Sequence, residues 1–136
     1  MNPLLIYLYT LLLFIALDAA WFYFYSYKKI YQPQFELINK NSKFKIRKIP
    51  AAITYLVLAT GLFLFLFYCR AKSTKKLKSL KFLVLGAIFG FVVYGTYNGT
   101  NYATLEKYSL KTAITDTIWG TIVCGVISSI ISFSLK

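Results

Sequence analysis

The sequence predicts an all-α membrane protein, a bundle of four transmembrane helices forming one domain over residues 1–136. Hydrophobic residues fill 58% of positions and aromatics 19%, with a mean hydropathy of +0.59, more apolar and less charged than soluble domains are. Four long blocks are almost free of charge. Asp18 is the one charged side chain before Lys28, residues 49–69 and 82–105 hold none, and residues 112–135 hold Asp116 alone. Each block supplies the roughly 20 residues that a helix needs to cross hydrocarbon. The apolar runs are continuous rather than alternating, and four strands could not close a barrel, so helices are expected.

The first helix is expected over residues 3–25, with Trp21 and the tyrosines Tyr23, Tyr25 and Tyr27 near its exit and Lys28-Lys29 beyond it. It lacks the basic start and small-residue cleavage pattern of a signal peptide and reads as retained. In the following loop Phe35, Leu37, Ile38, Phe44 and Ile46 alternate with polar and basic residues after Pro33, a pattern suited to the membrane surface. The second helix is expected over residues 50–69, the third over 80–97 and the fourth over 112–135. Gly86-Ala-Ile-Phe-Gly90 on the third helix and Gly120, Cys124, Ser128 and Ser132 on the fourth form small-residue stripes, which permit close packing inside the bundle or in a dimer. No internal repeat is evident.

Sixteen Lys and Arg against four Asp and Glu give a net charge of +12. The basic residues cluster between the apolar blocks, which points to anionic lipid headgroups and not to nucleic acid. Four spans put both termini on one side with the loop at residues 70–81. That short loop holds six basic residues and no acid, which favours cytoplasmic termini. His is absent, and Cys69 and Cys124 lie far from any metal-ligand spacing, so no metal or cofactor is expected. Cys69 beside Arg70 reads as a small buried residue or a candidate for S-acylation.

Two Asp-x-x-Trp motifs, Asp18-Ala-Ala-Trp21 and Asp116-Thr-Ile-Trp119, lie within the first and fourth blocks and hold two of the four acidic residues. A carboxylate at the centre of a lipid-embedded helix costs roughly 2.5–3.5 kcal/mol on insertion scales, so each needs a partner or a purpose. Connectivity places both in the same half of the membrane, on the side of the first loop. The second helix brings Thr54 and Tyr55 to that level, and the third brings Tyr94, Tyr97, Asn98, Thr100 and Asn101. The candidate binding cluster is therefore Asp18, Trp21, Tyr55, Tyr94, Asn98, Asn101, Asp116 and Trp119. No Lys or Arg lies within the spans, so the carboxylates are hydrogen-bonded, protonated or bound to a cation. The plainer readings are that Asp116 caps the fourth helix, that Trp21 belongs to an interfacial belt and that Asp18 serves packing. Asn98-Gly99-Thr100 matches a glycosylation sequon but lies close to the membrane.

Leu17-Asp18-Ala-Ala-Trp21, Pro50 with Tyr55 and Gly61, Tyr97-Asn98-Gly-Thr100-Asn101-Tyr-Ala103-Thr104-Leu105 and Asp116-Thr-Ile-Trp119-Gly120 together carry a resemblance. The chain resembles the small four-helix membrane proteins catalogued as domain of unknown function 2177, over nearly its whole length. The resemblance implies the four-helix fold and no defined activity. Family members usually carry Asp where this chain has Asn98, so a third carboxylate is absent here. Bacterial members can lie near genes for fatty-acid modification, an association with lipid chemistry.

Three classes of function remain open from sequence. The first is binding or transport of a small amphiphile, lipid headgroup or cation at the polar cluster. The second is an accessory or assembly subunit recruiting a membrane partner or a second copy through its stripes or basic loops. The third, less favoured, is an intramembrane enzyme acting on lipid with two carboxylates as acid and base.

Overall fold

In the computed structural model, residues 2–40, 45–72 and 79–134 are described. Phe44, half of the basic residues of the 70–81 loop (Lys75, Lys76 and Lys78) and the last residue of the expected fourth helix, Leu135, lie outside them. Five α-helical elements and one π-helical stretch make four long helices, each apolar enough to span a membrane.

The first comprises α1 (Pro3–Trp21), a π-helical segment (Phe22–Tyr31) and α2 (Gln32–Ile38), continuous over 36 residues. Asn2 starts it by accepting a hydrogen bond from Leu4 N at 2.9 Å, and Pro3 supplies a preset first turn. The expected end near residue 25 is thus passed by more than a dozen residues, and the segment assigned to the membrane surface is partly helix, with Phe35 and Ile46 facing an internal cavity. The lysines that mark an exit from hydrocarbon do not stop a helix. Nor does Pro33, because it sits at the start of α2 and the widened turn ahead of it uses longer-range bonds.

The burial pattern of this helix explains the π segment. Ile6, Thr10 and Phe14, then Ser26, Ile30 and Gln34, are buried at four-residue intervals. An α-helix turns in 3.6 residues, so such a stripe drifts by about 40° per step, and a wider π turn carries it back. The same bundle face is therefore reached at both ends.

The others are α3 (Lys48–Lys72), α4 (Ser79–Thr104) and α5 (Leu110–Ile131), each starting and ending within a few residues of expectation except that α4 runs on past residue 97. Helix α5 is the axis. Its membrane window is 44% buried, against 17% for each of the other three. Phe14 of α1, Leu62 and Leu66 of α3, Phe82 of α4 and Val123, Ile127 and Ile131 of α5 form the buried core.

Helices α4 and α5 make the tightest pair, and the small-residue stripes are the cause. Gly86 faces Ser128 and the Cys124 carbonyl, Gly90 faces the Gly120 carbonyl, and Gly120 faces the Tyr94 ring. The stripes are thus used within the chain. Ser79 Oγ meets Ser129 Oγ at 2.7 Å and ties the start of α4 to the end of α5.

A methyl group at Gly120 would overlap the Tyr94 ring, whereas one at Gly99 meets nothing within 4 Å. Gly120→Ala is expected to destabilise by about 1–3 kcal/mol, read as a lower melting temperature in detergent, with Gly99→Ala unchanged or slightly stabilised.

Candidate functional site: an acidic and aromatic intramembrane cavity

The two Asp-x-x-Trp motifs meet in space, joined by one hydrogen bond and one ring stack. Trp119 Nε1, from the motif on α5, donates to Asp18 Oδ1 on α1 at 2.7 Å. The Trp21 ring stacks on Trp119 with centroids 4.5 Å apart and planes 5° from parallel. Neither indole bonds the Asp of its own motif, although Asp18 and Trp21 share the expected face. The Tyr55 hydroxyl of α3 also approaches Asp18.

Asp116 is satisfied from two other elements. Tyr31, in the π-helical segment, donates its hydroxyl proton to Oδ1, and Asn98 Nδ2 of α4 donates to Oδ2 at 2.7 Å. It does not cap its helix. Ser109 does, its Oγ accepting from Thr112 N at 3.0 Å, and Asp116 lies well inside α5, 7% exposed. Asn98 is 1% exposed and accepts from the Tyr108 hydroxyl at 2.7 Å through Oδ1, so no room remains for a glycan. The neighbouring loop is held by Gln34, whose Nε2 donates to Lys107 O at 2.8 Å and whose Oε1 accepts from Ser109 N at 2.7 Å.

These groups border a cavity of about 640 Å³ among α1, the π segment, α3, α4 and α5. Asp18, Trp21, Tyr55, Tyr94, Asp116 and Trp119 line it, six of the eight residues expected from sequence. Asn98 stands behind Asp116 as its donor, and half-buried Asn101 only approaches Tyr108, so neither reaches the cavity wall. Trp21 is part of this wall and not simply an interfacial belt residue. Tyr31, Gln34 and Tyr108 do not stand out in the sequence, because they lie in segments expected to be loops. Their signal was faint: Gln34 and Tyr31 fall on or beside the four-residue stripe of the first helix, but that stripe mixes apolar and polar residues.

Among the described residues no group of three or more His, Cys, Asp or Glu is placed to hold a metal ion, and no Lys or Arg lines the cavity. Apart from Thr54, the walls are otherwise apolar and aromatic, including Ile15, Leu58 and Val93. Chemically the site pairs two carboxylates with indole and phenol faces under a hydrocarbon rim.

Four long helices apolar enough to cross a membrane define a multi-pass helical membrane protein, with two carboxylates facing a cavity among them. The chain belongs to the family described as "Predicted membrane protein (DUF2177)", whose model matches residues 3–133. No curated protein and no solved structure matches it.

Trp119→Phe and Tyr31→Phe each take a donor from a carboxylate, the first also shrinking the ring stacked on Trp21. Each is expected to cost about 1–3 kcal/mol. Double-mutant cycles with Asp18→Asn and Asp116→Asn should show coupling only within the pairs Trp119–Asp18 and Tyr31–Asp116. Coupling within the sequence motifs instead would contradict this pairing.

Tyr108 lies in the loop between α4 and α5, where burial, with Tyr97 nearby, pushes its phenol up to about 12. The unfolded chain releases such a proton at about pH 10. The folded state therefore binds it more tightly, and this contribution, complete below that pH, is lost as pH rises toward about 12. Tyr108→Phe should remove one late-titrating phenol from an ultraviolet titration and lessen the fall in melting temperature across that window.

Proposed function

We propose that this protein binds a small amphiphile, lipid headgroup or cation in the cavity between Asp18 and Asp116, and passes it between the bilayer and the aqueous face opposite the termini. In this reading both termini are cytoplasmic, and the basic loop at residues 70–81 rests on anionic headgroups. The observation that carries the reading is a cavity of about 640 Å³ among the candidate spanning helices that has two carboxylates and no basic residue on its wall. Ligand pockets are of this size and of this composition, mostly apolar with a few placed polar groups. Ionisable residues within spanning helices commonly face such a cavity and mark the path of a substrate or ion.

The assembly reading has less support. The glycine stripes it would use to recruit a partner face one another across α4 and α5.

Photoreactive amphiphiles with a diazirine in the tail test the proposal when peptide mapping locates the cross-links. Labelling is expected on Ile15, Leu58 and Val93, and Ala51→Phe, which fills the cavity wall, should lower it by about tenfold. Labelling spread evenly over lipid-facing residues and unchanged in Ala51→Phe would refute it.

A further inference from the structure

The chemistry of the cavity wall narrows the ligand, if the binding reading above holds. Two carboxylates border the space and no Lys or Arg does, so a phosphate, sulfate or carboxylate headgroup would meet like charge with no cation to offset it. Both oxygens of Asp116 already accept hydrogen bonds, from Tyr31 and Asn98. Asp18 accepts from Trp119 through Oδ1 and is also approached by the Tyr55 hydroxyl, and a carboxylate has about four acceptor sites, which leaves room for a further donor. A positive group seated here would therefore meet available charge at Asp18.

The remaining polar wall is aromatic apart from Thr54. Trp21 and Trp119 form a stacked pair, and Tyr31, Tyr55, Tyr94 and Tyr97 stand around the same space. Aromatic faces attract organic cations and serve as cages for quaternary ammonium groups. A hard metal ion needs six or more oxygens, which two carboxylates already engaged by side-chain donors do not supply. Ile15, Leu58 and Val93 add apolar wall suited to an alkyl chain.

We propose that the ligand is an amphiphile with a cationic nitrogen headgroup, a primary amine or quaternary ammonium, held between Asp18, Asp116 and the aromatic wall with its chain running out along the apolar rim.

The protein provides its own reporter, because its two tryptophans, Trp21 and Trp119, both line the cavity. Full-length protein in dodecyl maltoside is titrated with dodecyltrimethylammonium, dodecylamine, dodecanol and dodecyl sulfate while tryptophan emission is followed. The two cations are expected to bind about tenfold or more tightly than dodecanol, with dodecyl sulfate weakest. Tetramethylammonium, which has no chain, separates a free solute from a lipid, and it is expected to bind at least about tenfold more weakly than its dodecyl analogue. Asp18→Asn should bring the cations down to the level of dodecanol, with Asp18→Glu keeping part of the preference. Equal binding of all four headgroups would overturn the cationic assignment and leave a cavity that binds amphiphiles. No change in emission with any of them would overturn the binding reading as well. The headgroup series on the unmodified protein decides the matter even if Asp18→Asn does not fold.

Discussion

The pairing of Asp18 and Asp116 with donors from other helices is the constraint on which the structure turns. A carboxylate in hydrocarbon is costly on its own, and no Lys or Arg lines the cavity beside either one. Each is instead met by neutral donors that lie far away in sequence: Trp119 for Asp18, and Tyr31 and Asn98 for Asp116. Those donors come from α5, the π-helical segment and α4, so two side chains set the relative placement of most of the bundle. Moving any of these elements by one turn would leave a buried carboxylate unmet. The Asn98 amide has a place in this network that a carboxylate could not take. It donates to Asp116, which an ionised Asp in its place cannot do.

Close packing of α4 on α5 works at the same level. Gly90 and Gly120 let the two backbones approach, and the approach brings the Tyr94 ring against Gly120 at the edge of the cavity. The small residues thus belong to the architecture of the site as much as to the stability of the hairpin. Ser79 and Ser129 close the far end of that hairpin, away from the carboxylates.

The π-helical segment reconciles two demands on the first helix. Its membrane half must present Asp18 and Trp21 to α5, and its outer part must present Tyr31 and Gln34 to the other end of the same bundle face. A straight α-helix cannot keep a four-residue stripe on one face over that length. Widened turns are uncommon and recur at functional sites, and here the widening lies directly beside the cavity.

Charge-free blocks of about 20 residues determined the four spans and their order, because the cost of a charge in hydrocarbon is a local property of the chain. Connectivity alone likewise placed the Asp-x-x-Trp motifs in one half of the membrane, and the small-residue stripes foretold close helix packing. Three things were decided only by the tertiary structure. The first helix continues to Ile38 because partners in the loop before α5 hold its outer turns, which no local signal announces. Each carboxylate is bound by a donor from outside its own motif, since the rotation of helices about their axes depends on packing. Asn98 and Asn101 fall outside the cavity wall while Tyr31 enters it, for the same reason. Residue type and depth are written in the sequence, whereas which faces meet depends on how side chains from all four helices fit together at once.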